Sequence, residues 1–190
     1  YINQRIPDIP VNVKYSFKNG SHLQAGAVLR NMYYKDEIED KDRIVTGWGA
    51  SLSGIWQFAQ NTSLCFQGVY GKGISNYIQD ISGTGLDLVP NATAEGKLKA
   101  FGAWGGYIGF SHNWSKVLTS NIMYSYARVL DRYGMPTTSY KYAQYAAANL
   151  FWDFSEYGSC AIEYVFGRRN DFNKDYGNAS RINTMIQYRF

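Results

Sequence analysis

The sequence predicts an all-β chain, an antiparallel transmembrane β-barrel, and three observations carry that prediction. The first is strict alternation of apolar and polar residues in one segment after another. That is the period of a strand with one face against an apolar medium. The second is that the connections between these segments alternate short and long, as they do where tight turns lie on one side of a membrane and long loops on the other. The third is composition: 17% of the 190 residues are aromatic, with 17 Tyr and 19 Gly against 4 Pro, which suits aromatic girdles and closely packed strands. The mean hydropathy is −0.35, and no run approaches the ~18–20 apolar residues of a membrane-spanning helix. A barrel strand needs only about ten residues with every second one apolar, so a low average does not exclude a membrane protein.

The elements follow in order. Ile9 to Lys18 puts Ile9, Val11, Val13, Tyr15 and Phe17 on one face, and Asn19-Gly20 then signals a type I′ hairpin turn. Ser21 to Tyr34 sends Leu23, Ala25, Ala27 and Leu29 outward, and Lys35 to Arg43 reads as a charged, solvated loop. Ile44 to Phe58 alternates Trp48, Ala50, Leu52 and Trp56 with Gly47, Gly49, Ser51 and Ser53. After a turn at residues 59–61, Thr62 to Lys72 returns with Leu64, Phe66 and Tyr70 outward. Gly73 to Gly96 is the longest connection, with a short helical turn expected at residues 75–81. A loop this long in a compact domain is usually functional or disordered, and in a barrel it can fold into the lumen and constrict it. Strands follow at residues 97–113, 117–130, 140–152 and 157–169, with loops at 131–139 and 170–180.

The last strand, Arg181 to Phe190, alternates Ile182, Thr184, Ile186, Tyr188 and Phe190 with polar residues. Ile186, Tyr188 and Phe190 are expected to form a barrel-closure and assembly signal on the lipid face. Counting back from it puts every long loop on the outside. Nine strands result, whereas bacterial single-chain barrels have an even number. The chain opens on Tyr1-Ile2-Asn3 with neither Met nor the secretory signal such a protein requires. Residues 1–190 are therefore expected to be the C-terminal portion of a single barrel domain.

The inward face is the candidate functional surface. Lys14, Arg30, Arg43, Lys99, Lys141, Arg169, Arg181 and Arg189 point inward, against Glu163 as the chief inward acid. Positive linings favour anions, so small anionic solutes are the expected passengers. Arg169 and Glu163 share a strand face six residues apart, about 20 Å along the strand, and are not a direct pair. Inward Gly47, Gly49, Ser51, Gly105 and Gly109 are small, which favours an open lumen over a plugged, structural or ligand-binding barrel. A soluble β-sandwich binding module is the remaining alternative, and it has no cause for the regular alternation of loop lengths.

Other chemistries find little support. Net charge is +4, with Lys and Arg spread singly, so no nucleic-acid surface is indicated. His22 and His112 are the only histidines, and His112 faces outward beside Trp114, away from any Ser–His–acid set. Gly71-Lys72-Gly73 is too short for a phosphate-binding loop. Cys65 and Cys160 face opposite sides and lack metal-ligand spacing. No catalytic residue, metal or cofactor is expected.

Several segments carry a family resemblance: Gly105-Gly106-Tyr107-Ile108-Gly109-Phe110-Ser111-His112-Asn113-Trp114, Met123-Tyr124-Ser125-Tyr126, Tyr145 to Trp152, Glu163-Tyr164-Val165-Phe166-Gly167-Arg168-Arg169, Arg181-Ile182 and Gln187-Tyr188-Arg189-Phe190. In their order and spacing they resemble the C-terminal half of DcaP-like outer-membrane porins, and Arg5-Ile6-Pro7-Asp8-Ile9 is similar to a motif near the middle of that family. The resemblance implies a sixteen-stranded porin in the bacterial outer membrane, surrounded by its lipid. It further implies a homotrimer that passes small solutes with a preference for anions. The family's constricting basic residues carry over only to Arg30, Arg169 and Arg181.

Overall fold

A computed structural model of the chain describes residues 5–91, 93–132 and 134–190, so the opening Tyr1-Ile2-Asn3 lies outside the described residues. Nine antiparallel strands form one sheet, in the order β1 (Ile9–Ser16), β2 (His22–Asp36), β3 (Lys41–Ala59), β4 (Thr62–Lys72), β7 (Gly102–Asn113), β8 (Leu118–Val129), β9 (Tyr140–Asp153), β10 (Gly158–Asp171) and β11 (Tyr176–Tyr188). The long connection supplies β5 (Leu88–Pro90) and β6 (Leu98–Ala100), a separate two-stranded hairpin. Every neighbour in the large sheet is the next large strand in sequence, and β1 and β11 are its two edges.

Register fixes the faces. The partner series Asn12–Gly26–Ser51–Val69–Gly105–Ala127–Ala143–Arg169–Gly177 runs unbroken across all nine strands. Side chains alternate along a strand, so these residues share one face, and it is the face on which residues 73–101 pack. The opposite face carries Val13 at 75% exposure, Ile122 at 63% and Ile182 at 67%. A contiguous apolar surface of that size marks contact with a partner or a membrane.

Aromatic rings edge this face at both ends. Near the long connections, Trp48 meets Tyr70 (5.7 Å between centroids), Trp104 meets Tyr126 (5.0 Å), and Tyr126 stacks on Tyr142 (5.4 Å). Near the short turns, Trp152 lies 5.9 Å from Phe154, and Tyr188 lies 6.5 Å from Phe190.

Several strand ends differ from the sequence expectation. The charged run 35–43 is mostly strand, because Arg43 Nε donates to Asp36 Oδ2 (2.6 Å) and Lys35 Nζ lies 2.6 Å from Asp40 Oδ1. Those pairs hold β2 to β3 up to a turn at residues 37–40. Residues 170–180 are strand as well, except for a tip at 172–175. Pairing of Gly177, Asn178, Ala179 and Ser180 with β10 overrides their weak strand propensity. At the first turn only Gly20 has positive φ, +83°, and Phe17 N–H donates to Ser21 O at 2.8 Å. This is a bulged turn rather than the expected type I′.

Candidate functional site

The long connection is folded down onto the sheet. Two 3₁₀ turns, Ser75–Tyr77 and Gln79–Ile81, place Ile74, Ile78 and Ile81 in a core with Ala103, Ala127 and Val129. The β5–β6 hairpin sets Leu88 against Met32 and Tyr34, and Leu98 N–H donates to Tyr34 Oη at 3.0 Å. Glycines on this face are seats for the loop. A Cβ at Gly49 would lie 2.9 Å from Ile74 Cγ2, and one at Gly105 would lie 3.3 Å from Ile78 Cγ2. At Gly47 it would lie 2.9 Å from both Met32 Cε and the Lys72 carbonyl oxygen. The sequence reading of these small residues as facing open space is therefore corrected: Gly49 and Gly105 make room for Ile74 and Ile78 of the loop, and Gly47 makes room for Met32 and the Lys72 backbone.

Arg30 ties the loop to the sheet. It is buried on β2, where its Nε donates to Asp8 Oδ2 (2.9 Å) and its Nη1 donates to Asp87 Oδ1 (2.8 Å) and to the Gly73 carbonyl oxygen. The same Asp87 oxygen accepts from Ser75 N–H (2.8 Å) and Ser75 Oγ (2.9 Å). Tyr77 Oη donates to Asp8 Oδ2 at 2.6 Å, and the guanidinium lies 5.5 Å from the Tyr77 ring centroid. Burial, then the hydrogen bond to Asp8, raises the Tyr77 phenol above its ordinary pKa, so it remains a donor at neutral pH. One cation on β2 thus holds the segment before β1, the start of the loop at Gly73 and its middle at Asp87. Charge-assisted bonds of this kind are roughly twice as strong as neutral ones.

The other predicted residues are placed in several settings. Arg43 and Arg169 face the loop-bearing side but are paired, Arg43 with Asp36 and Glu39 and Arg169 with Asp171 (2.9 Å). Lys14, Lys141 and Arg181 lie on the same face, in register with Gln24, beside Phe172 and opposite Val165 respectively. Lys99 was expected on the wall but lies on the β5–β6 hairpin, because the chain breaks at the fully buried Phe101. Arg189 follows the end of β11, where its N–H donates to Tyr157 O (2.8 Å). Ile186, Tyr188 and Phe190 are exposed on the opposite face or just beyond it.

Glu163 is held by a row of carboxamides. It accepts from Asn183 Nδ2 (2.9 Å) and Asn149 Nδ2 (3.3 Å), and Asn121 Nδ2 donates to Asn149 Oδ1 (2.8 Å). Between the 3₁₀ turns and the wall is a cleft of about 540 Å³, lined in part by Gln67, Tyr77, Gln79, Asp80, Tyr107 and Tyr145. His112 faces the opposite side, where its Nδ1 lies 2.8 Å from Thr62 Oγ1 and its ring meets Trp114. Cys65 and Cys160 sit on opposite faces with three strands between their own, at least about 19 Å apart and beyond disulfide reach.

Asp8, Asp87 and Tyr77 are the site residues that sequence reasoning missed. Asp87 lies 57 residues from Arg30 and Asp8 lies 22 away. Neither carries a periodic signal that could have paired it with Arg30.

Compared with solved structures, the chain aligns over 100% of its length with the outer membrane channel DcaP of Acinetobacter baumannii, at a TM-score of 0.81 and 19% identity. The fold is that of an outer-membrane channel. The alignment covers 53% of the DcaP chain, so this chain spans about half the length of that channel. A second structure, the NanC porin in a rhombohedral crystal form, aligns over 96% of this chain and 93% of its own at 11% identity and a TM-score of 0.47, too low to carry an argument. No protein-family model matches the chain, and no curated protein matches it.

Proposed function

We propose that this chain is the C-terminal half of a porin that lets small polar solutes diffuse across the bacterial outer membrane. One observation carries the reading: a nine-stranded sheet presents an apolar, aromatic-edged face on one side and a polar, loop-filled face on the other. That is the division of a barrel wall between lipid and lumen. The fold shared with DcaP, whose chain is about twice as long, supports closure by further strands; sixteen strands and a homotrimer are what the family resemblance implies. On this reading the chain is a channel rather than an enzyme, and residues 73–101 form a constriction inside it. Planar-bilayer recording of the full-length protein tests the proposal: steady, ohmic conductance is expected, and its absence overturns the reading.

Selectivity on this reading is weakly anionic. Arg30, Arg43 and Arg169 are neutralised by ion pairs. Lys14, Lys141 and Arg181 remain against Glu163 and Asp80. Lys141→Glu is expected to move the reversal potential in a salt gradient toward cation preference while conductance stays within about twofold. An unchanged reversal potential removes Lys141 from the lining.

Ile186, Tyr188 and Phe190 would face lipid and serve assembly. Deleting Phe190 is expected to reduce the heat-modifiable, membrane-inserted fraction several-fold, read by electrophoretic mobility without boiling. Insertion at the normal level removes the assembly role.

A further inference from the structure

The opposite face has one feature that a lipid wall does not explain. On β7 to β11 its outward positions contain no Asp or Glu, yet they include Arg128 and Arg168. Neither arginine has an ion pair among the described residues. Arg128 is half-buried in register between Trp104 and Tyr142, and its Nε is a buried donor without an acceptor among the described residues. A buried donor left unmet is costly, and cations on a membrane face mark functional sites. Arg168 lies 4.1 Å from the Tyr176 ring centroid, and its Nε donates to the neutral Asn170 Oδ1 (3.1 Å). From strand spacing the two arginines are ~12 Å apart.

Height and shape complete the site. Arg128 stands ten residues above Leu118 on β8, which is ~33 Å along the strand and about 25 Å across the bilayer at barrel tilt, the edge of the apolar band. Below Arg128, beside Trp104 and Tyr126, the face is hollowed by a shallow apolar groove of about 690 Å³ over Gly68 and Gly106. Gly68 is not a glycine by steric need, because a Cβ there would meet nothing within 4 Å. Its missing side chain leaves the groove open.

An apolar groove topped by two unpaired cations and a ring of aromatics fits an amphiphile with an acyl chain and an anionic headgroup. We propose that this face binds a phosphorylated glycolipid of the outer leaflet, with a phosphate on Arg128 and Arg168 and an acyl chain over Gly68. The choice of leaflet rests on the porin reading above, which puts the long-loop end outside the cell, where lipid A lies and the phospholipids of the inner leaflet do not. Basic clusters at the membrane boundary recognise lipid headgroups in this way.

The test uses the full-length protein in detergent, exchanged against purified lipid A and separately against phosphatidylglycerol, with retained lipid read by native mass spectrometry. The wild type is expected to retain lipid A in preference to phosphatidylglycerol. Arg128→Ala with Arg168→Ala is expected to lower retained lipid A about tenfold. Gly68→Leu, which places a side chain in the groove from a position whose Cβ meets nothing within 4 Å, is expected to lower it several-fold. All these variants should keep the wild-type conductance. Equal retention of both lipids, or lipid A retention unchanged in the variants, overturns the proposal. So does loss of the oligomer with lipid retention intact, which would assign the face to a second copy of the chain. A protein that retains lipid A yet shows no conductance would leave this site standing and remove the porin reading instead.

Discussion

Arg30→Ala is expected to release residues 73–101 from the wall and raise single-channel conductance, with the loop becoming cleavable by added protease. The physical reason is asymmetry. The side chains of Arg30 and Asp87 are 6% and 8% exposed, and that of Asp8 is 18% exposed. Removing the cation leaves two aspartates without the Arg30 charge and takes one donor from the Gly73 carbonyl oxygen, although Tyr77 still donates to Asp8 and Ser75 to Asp87. Breaking a buried pair from one side costs about 3–5 kcal/mol. The apolar core around Ile74, Ile78 and Ile81 and the Leu98–Tyr34 hydrogen bond still hold the loop, so that loss falls first on its attachment at Gly73 and Asp87 rather than on the strands. Arg30→Lys is expected to be intermediate, because an ammonium cannot present the guanidinium's fork to both aspartates.

A second variant separates the ion pairs from the general electrostatics of the face. Asp87→Asn keeps an oxygen for Ser75 but removes the charge facing Arg30. It is expected to loosen the loop less than Arg30→Ala does. If Arg30→Ala leaves both conductance and protease resistance unchanged, Arg30 does not hold the loop.

How much of this was legible in the sequence follows from the range over which each signal acts. Strand faces were legible because alternation is local: Ile182 and Ile186 on β11, or Leu52 and Trp56 on β3, declare their side within a few residues. The order of the strands followed from the alternation of turn lengths. The strand ends were harder. Lys35 to Arg43 is charged on both faces, and residues 177–180 are small or polar on both, so periodicity fell silent where cross-strand pairing decides.

The candidate site was barely legible. Arg30 stood out as an inward cation, but its neutralisation by Asp8 and Asp87 is a long-range event with no sequence period. Small residues misled for a related reason. A glycine facing a lumen and a glycine beneath a packed loop look alike until Ile74 and Ile78 are placed. Arg128 and Arg168 follow the outward parity of their strands, but two single cations on an apolar face carry no period that marks them as a site.

The sheet is expected to fail at Gly71 more completely than at any neighbouring position. Gly71 pairs directly with Gly49, where β3 and β4 run together just before the chain leaves for the loop at Gly73. A Cβ at Gly71 would lie 2.2 Å from the Trp48 carbonyl oxygen and 2.7 Å from the Gly49 Cα. Both are backbone atoms, so no side-chain rotation relieves the contact, and the strands must separate. Overpacking typically costs ~1–3 kcal/mol and more when the backbone itself must move. Gly71→Val adds a branched side chain at the same point. The expected result is loss of the heat-modifiable folded form and of conductance, while Gly68→Leu on the same strand retains both, since its Cβ meets nothing. The two substitutions differ by three positions and by the face they enlarge, so composition and strand propensity cannot account for opposite outcomes. A Gly71→Val protein that inserts and conducts normally would show that the close approach of β3 and β4 at this point is not required.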